Sequence, residues 1–555
     1  MAARNGGLRS LLPGRPELRS VALSPRHDLV AGVTVAIVAL PLALGFGIAS
    51  GLGAAAGLVT AIVAGAVAAV FGGSSLQVSG PTGAMTVVLV PIVAAYGPGG
   101  VLTVGLMAGV LLIALAVARA GRYMQYVPAP VVEGFTLGIA GVIALQQVPA
   151  ALGVPKPHGE QVALVAVKAV ADFVTRPNWP AVILSVSVAL VMLLGARWRP
   201  TIPFSLVAVV AATIVVWAAD VPVARIGALP STLPLPSLGF LDLGTLTTLA
   251  PSAVAVAALA ALESLLSATV ADAMSVGERH DPDKELFGQG LANLITPLFG
   301  GVPATAAIAR TAVNVRAGAR SRLAAFSHAL VLAIIVFTAA PLVAAIPIAA
   351  LAGVLLATAI RMVEVGSVRA LLRSTRSDAL VLVLTATTTL ALDLVTAVIV
   401  GLVVAGGLAL RTIAKTARME EVVLDHSHHG EEEQALLAEH IVAYRLDGPL
   451  FFAAVHRFLL ELTEVTDVRV VILRLSRVST IDATGALVLR DVVERLEHRG
   501  IAVLASGIRP GHERVLDALG VANRLRDLGR VFASTPEAID HARSLVHGEH
   551  GQGPT

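Results

Sequence analysis

Val78-Ser79-Gly80-Pro81-Thr82-Gly83-Ala84 follows the triplet Phe71-Gly72-Gly73, and far downstream Val302-Pro303-Ala304-Thr305-Ala306 follows Phe299-Gly300-Gly301. Each copy sets a glycine pair and then a proline immediately ahead of a short apolar run. Proline suits the first turn of a helix, where its missing N–H costs nothing, and glycine lets two backbones approach closely. The copies open the third and the tenth apolar stretches of the chain, an odd offset of seven. They therefore enter a membrane from opposite sides, which is the pattern of an inverted repeat.

The surrounding chain fits that reading. Of its 555 residues 56% are hydrophobic and only 14% charged, with a mean hydropathy of +0.83, a balance no single soluble core of this length requires. Fourteen apolar stretches are read as spans, at 29–49, 54–71, 82–95, 99–118, 128–148, 179–196, 202–219, 247–270, 288–298, 304–315, 323–345, 347–361, 377–392 and 394–411. A full span needs about 20 residues, so 82–95, 288–298 and 304–315 are expected to be half-helices or segments shielded by their neighbours. Lys and Arg gather in alternate connections, in the tail before residue 29 (Arg4, Arg9, Arg15, Arg19, Arg26) and after the last span at Arg411, Lys415 and Arg418. By the positive-inside rule both termini face the cytoplasm, in an integral protein of the cell (inner) membrane. The first apolar run starts only near Leu29, so no cleavable signal peptide is expected.

The formal net charge is +3 and cysteine is absent, which excludes disulfides, thiolate metal sites and cysteine nucleophiles. Basic residues lie between apolar runs without aromatic interleaving, so nucleic acid is not expected as a partner. Residues 416–439 are polar, with Asp425-His426-Ser427-His428-His429 and Glu431-Glu432-Glu433, and read as a solvated linker. Beyond them, strand-like 441–446 and 468–475 alternate with helical patterns at 453–465, 485–499 and 511–519, the sign of a small α/β domain.

Two half-helices entering from opposite sides point their N-termini, each with free N–H groups and partial positive charge, at one another near the midplane. A small inorganic anion or small carboxylate fits between them. The candidate ligands are Thr82, Gly83, Ala304, Thr305 and Ala306, chiefly through backbone N–H groups, with hydroxyls from the two threonines. Arg310 adds a fixed positive charge, and Phe46, near Pro41 in the first span, is a candidate lining residue. Glu263 stands inside an apolar span with Ser267 one turn on, where a carboxylate must find a partner. The residues leave three roles open: carrying a proton, holding a sodium ion together with Ser267, or pairing structurally with Arg310. Glu133 is read as a helix N-terminal carboxylate.

Ser79-Gly80-Pro81-Thr82-Gly83, Glu285-Leu286-Phe287-Gly288-Gln289-Gly290-Leu291-Ala292-Asn293 and Arg310-Thr311-Ala312-Val313-Asn314 resemble the SulP anion permeases, and the likeness spans nearly the whole chain. The resemblance implies an all-α membrane domain of fourteen spans in two inverted sevens, a core of spans 1–4 and 8–11 moving against a gate of spans 5–7 and 12–14, and a homodimer. The C-terminal part resembles a STAS domain, whose strand-to-helix loop matches Ile481-Asp482-Ala483-Thr484-Gly485. The chain thus divides into a cytoplasmic tail at 1–28, a transporter domain at 29–415, the linker at 416–439, a STAS domain at 440–546 and a tail at 547–555. Sodium-coupled bicarbonate members carry Asp and Thr where this chain has Glu263 and Ser267. Phosphorylation-controlled STAS proteins carry a serine where Ala483 stands, so switching of that type is excluded at that position, and Thr484 reads as a helix cap.

The expected function is secondary transport of bicarbonate, sulfate or a related small anion by alternating access, coupled to sodium or protons, within the lipid bilayer. It involves no enzymatic step and no cofactor apart from a candidate sodium ion. Two other functions fit the same residues: a membrane-anchored anion sensor signalling through the STAS domain to a cytoplasmic partner, and an anion channel.

Overall fold

The computed structural model describes residues 11–14, 24–159, 161–199, 202–230, 232–275, 279–392, 394–416, 418–421, 440–450 and 468–548. The histidine cluster at 425–429, the acidic run at 431–433 and the helical pattern at 453–465 lie outside the described residues. The chain forms two compact units, Met1–Val403 and Val404–Thr555.

The first unit is helical. In order, it contains α1 (Pro25–Ala49), α2 (Ala54–Phe71), the two-residue strand β1 (Ser79–Gly80), α3 (Gly83–Val117), α4 (Ala129–Leu152), α5 (Val162–Thr175), α6 (Trp179–Trp198), α7 (Phe204–Ala218), α8 (Leu246–Met274), α9 (Pro282–Ile295), the strand β2 (Thr305–Ala306) and α10 (Ile308–Arg316). It continues through α11 (Arg322–Ala344), α12 (Ile348–Met362), α13 (Val365–Ser374) and α14 (Arg376–Ala391), and α15 (Leu394–Thr416) runs across the boundary between the two units. Seven helical runs among the described residues are long and apolar enough to cross a membrane. Each apolar stretch of the sequence falls largely on a helix. The third and fourth share α3, broken at Gly97, whose φ of +67° only glycine adopts at little cost.

Three local differences from the sequence reading have physical causes. α10 starts at Ile308, four residues beyond the expected start at 304, because Thr305 and Ala306 pair as a strand with Gly80 and Ser79. α5 and α13 were not among the expected helices; both are amphipathic, so neither forms the uniform apolar run that marks a span. α9 begins at Pro282, earlier than its apolar core, because Asp281 caps it by accepting from the N–H groups of Asp283 and Lys284 at 3.1 Å each.

Within this unit α9 packs on α2 and α3, α11 on α1 and α2, and α8 on α3 and α10. α12 packs on α4 and α6, and α14 on α4. Asp28 near the start of α1 fastens the first group: it accepts from the N–H of Arg320 at 2.7 Å and of Ser321 at 3.1 Å, ahead of α11.

In the second unit, strands β3 (Arg418–Glu421), β4 (Ile441–Leu450), β5 (Val470–Arg474), β7 (Ala502–Ser506) and β8 (Val531–Phe532) form a sheet in that order, and β6 (Val478–Ile481) pairs with β4. Only the β3–β4 pair is antiparallel. α16 (Ala483–His498), α17 (Pro510–Ala518) and α18 (Val521–Asp527) contribute Leu489, Val492, Leu516 and Leu525 to one core, while α19 (Thr535–Gly548) contributes Ala538, Ile539 and Ala542 to another against Val470, Ile472 and Leu504. Cover on both faces explains why Val470-Val471-Ile472-Leu473 is continuously apolar. Asp482 caps α16, accepting from Gly485 N at 2.7 Å.

Candidate functional site

The two copies of the repeat meet. β1 and β2 run antiparallel with Ser79 opposite Ala306 and Gly80 opposite Thr305, and a helix starts within three residues of each strand. Both strands are fully buried, so their backbone polar groups must be paired inside the protein. α9 and α10 supply many of the partners. On α9, Glu285, Gln289 and Asn293 are spaced four apart and form one polar stripe. Glu285 accepts from Gly73 N at 2.8 Å and Ser74 N at 3.2 Å. Gln289 donates to Ser79 Oγ at 2.6 Å and to Glu285 Oε1 at 2.9 Å. Asn293 reads the Ala304 backbone twice, its Oδ1 accepting from the N–H and its Nδ2 donating to the carbonyl, both at 2.8 Å.

α10 holds the other copy. Arg310 is buried, and its Nη2 donates to the Pro81 carbonyl at 2.7 Å. A Cβ on Gly80 would lie 2.6 Å from Arg310 Nη1, so glycine leaves room for the guanidinium. Thr311 Oγ1 accepts from Val78 N at 3.1 Å, and Asn314 Nδ2 donates to the Leu76 carbonyl at 2.7 Å. No carboxylate lies within 4.0 Å of Arg310 among the described residues, so the structural pairing with Glu263 is absent as a direct ion pair.

Thr82 is the N-cap of α3. Its Oγ1 accepts from Met85 N at 3.4 Å and donates to Glu263 Oε2 of α8 at 2.9 Å. Gly83, the first residue of α3, lies against Phe46 and Ile143: a Cβ there would meet the Ile143 side chain and stand 3.1 Å from Phe46 Cε1. Phe46, Thr82, Gly83 and Glu263 therefore gather around one helix end.

The other expected ligands sit differently. Ala304, Thr305 and Ala306 are fully buried, and the N–H groups of Ala304 and Ala306 are taken by Asn293 and by Ser264 Oγ, at 2.8 and 3.2 Å. The expectation that these amides stand open at a helix start is corrected: the residues form a strand, and the first-turn amides of α10 begin at Ile308. Thr305 Oγ1 bonds Ser264 Oγ at 2.9 Å, and Ser267 Oγ bonds Thr311 Oγ1 at 3.0 Å. Ser267 is thus engaged with α10 while Glu263 is engaged with Thr82. No group of three or more His, Cys, Asp or Glu side chains that could hold a metal occurs among the described residues.

Sequence reasoning missed Ser264 and Gln77, whose Nε2 donates to the Ser264 carbonyl at 3.0 Å. It quoted Gln289, Asn293 and Asn314 without giving them a role. The signal was present as a four-residue polar spacing within otherwise apolar segments.

The sequence profile of the sulfate permease family matches residues 26–385, and that of the STAS domain matches residues 434–538. YvdB of Bacillus subtilis is 33% identical over 512 residues, covering 90% of this chain and 94% of its own. The solved transmembrane domain of a cyanobacterium bicarbonate transporter, BicA, is 32% identical with a TM-score of 0.62, covering 69% of this chain and 98% of that one. Murine Slc26a9, an anion transporter solved in the inward-facing state, shares the fold at 17% identity, with a TM-score of 0.83 over 98% of this chain and 96% of its own.

Proposed function

Because the chain belongs to the sulfate permease family, whose members transport anions, we propose that it carries bicarbonate, sulfate or a similarly small anion by alternating access and couples that movement to protons through Glu263. α1–α3 and α8–α11 form the moving core, and α4, α6, α7, α12, α14 and α15 form the gate, giving fourteen spans with both termini in the cytoplasm of a homodimer. The STAS domain supports or regulates the transporter without lining the path.

The observation that carries the coupling is the 2.9 Å bond from Thr82 Oγ1 to Glu263 Oε2. Thr82 caps the helix end that favours an anion, and an ionised Glu263 already places a negative charge there. A second anion arriving beside it meets like-charge repulsion and finds the Thr82 hydrogen committed. Protonation of Glu263 removes the charge and releases the hydroxyl to donate to the cargo, so proton and anion bind together and reinforce one another. Arg310, on the other copy, adds the opposite charge to the same crossing.

Sodium is the second reading, supported by the hydroxyl oxygens of Ser264 and Ser267, which follow Glu263 along α8 and are paired with those of Thr305 and Thr311. The test is uptake of labelled sulfate and of labelled bicarbonate into proteoliposomes, with proton and sodium gradients imposed separately. The wild type accelerates with an inward proton gradient at fixed sodium, and Glu263→Gln transports without that response. Gradient dependence retained by Glu263→Gln sinks the coupling role, and acceleration by sodium at fixed pH replaces the proton with sodium. No uptake of either anion would favour a sensor, and currents far above carrier turnover would favour a channel.

A further inference from the structure

α13 sits between α12 and α14 and has two unlike sides. Toward the protein it turns Ser367, Val368 and Leu371, all half-buried, and Ser367 Oγ donates to Glu133 Oε1 of α4 at 2.9 Å. Away from the protein it presents Val365 and Leu372, 68% and 45% exposed, together with the exposed Arg369 and Arg373. The two arginines are four residues apart and share that face, lying along one side of the apolar pair. Exposed Arg361 in the last turn of α12 and Arg376 at the start of α14 add charge of the same sign.

Nothing among the described residues neutralises these arginines. Among the described residues none of the four has a carboxylate within 4.0 Å, and the acid nearest in sequence to Arg376, Asp378, accepts instead from the hydroxyls of Ser374 and Thr375 at 3.3 and 2.9 Å. The small domain behaves otherwise: Arg524, Arg526 and Arg530 pair with Glu497, Asp517 and Glu497 at 2.7, 2.7 and 3.2 Å. Large apolar side chains beside uncompensated arginines suit the boundary between acyl chains and headgroups, which solvates both kinds of group.

We propose that α13 lies in the bilayer interface and binds anionic phospholipid headgroups through Arg369 and Arg373, with Val365 and Leu372 seated at the acyl boundary. The Ser367–Glu133 bond links that contact to the first turns of α4, and α13 also packs on α14, so the charge of the leaflet bears directly on these two helices. The inference does not depend on which anion the protein carries.

The test uses the full chain in phosphatidylcholine vesicles with trace spin-labelled phosphatidylglycerol or spin-labelled phosphatidylcholine. The ratio of motionally restricted label measures headgroup preference. Each arginine near an anionic surface contributes about fivefold. The double substitution Arg369→Gln with Arg373→Gln is therefore expected to lower the phosphatidylglycerol preference by about threefold or more, even with partial compensation by Arg361 and Arg376. Replacing both with lysine keeps the charge and the membrane orientation and retains most of the preference. Where the double glutamine variant fails to insert, the single substitutions carry the same test with a smaller loss each. An unchanged preference in the glutamine variants, or an equal loss on Arg490→Gln in the small domain, overturns the proposal.

Discussion

The two copies of the repeat start from one sequence pattern and arrive at opposite chemistry. At the first copy the helix begins three residues after its strand, and its cap hydroxyl reaches a carboxylate. At the second, the strand amides of Ala304 and Ala306 are consumed by Asn293 and Ser264, and the helix that follows sends a buried guanidinium back to the first copy. One end carries a carboxylate, Glu263, and the other a guanidinium, Arg310. An inverted repeat brings the two copies together in one place, while the residues that break its symmetry give the two copies side chains of opposite charge type.

Bulk should divide the copies most sharply. Gly83→Trp sets an indole against Phe46 and the flexible tip of Ile143 at the capped end of α3, and is expected to abolish uptake while the protein still folds. Ala306→Trp enters a fully buried ladder, so it should lose transport and thermal stability together, since overpacking costs about 1–3 kcal/mol or more. Uptake and melting temperature measured on both variants check this, and equal stability would erase the distinction between a side-chain-lined helix start and a backbone ladder.

Next in size is Arg310→Gln. Loss of a hydrogen bond from a charged donor costs about 1.5–3 kcal/mol, and the crossing loses its fixed positive charge. The melting temperature should fall and the KM for the anion rise. A lower stability with an unchanged KM would make Arg310 a fastener of Pro81 only.

The smallest effect is expected for Thr82→Val, which keeps the shape and removes the hydroxyl. The missing cap costs about 1 kcal/mol, and Glu263 loses its donor. Uptake should weaken mildly with an altered pH profile, whereas Thr305→Val, whose hydroxyl serves Ser264, should leave the pH profile as it is. Identical profiles in the two variants would mean that both threonines do the same work.

The inverted repeat, the opposed helix ends and the α/β domain were legible because Gly-Gly and Pro punctuation is local, and because apolar runs and strand alternation follow from short-range geometry. The start of the second half-helix was not legible. Pro303 ahead of an apolar run reads as a first turn, and only the pairing of Thr305 and Ala306 with residues more than two hundred positions earlier turns them into a strand. The roles of Ser264 and Gln289 were hidden for a similar reason, since the Ala306 N–H and the Ser79 hydroxyl that they bond belong to other segments of the chain, whereas Asn293 serves Ala304 only eleven residues on. Glu263 was visible as a carboxylate in an apolar helix, but its hydrogen-bond partner was not, since Thr82 lies 181 positions earlier.

The β1–β2 ladder also bears on how the protein is made. Its strands belong to opposite halves of the chain, so when the first half leaves the ribosome the buried polar groups at 76–81 have neither β2 nor the side chains of α9 and α10 to bond. The third helix can be inserted early but not seated, and the crossing is completed only after the tenth has been synthesised. Long-range pairing of this kind is slow to form and exposes its partners meanwhile. Any chain released before residue 316 therefore lacks the partners that backbone groups between Leu76 and Pro81 have in the complete fold, and its first half is left with a polar gap where the crossing should be.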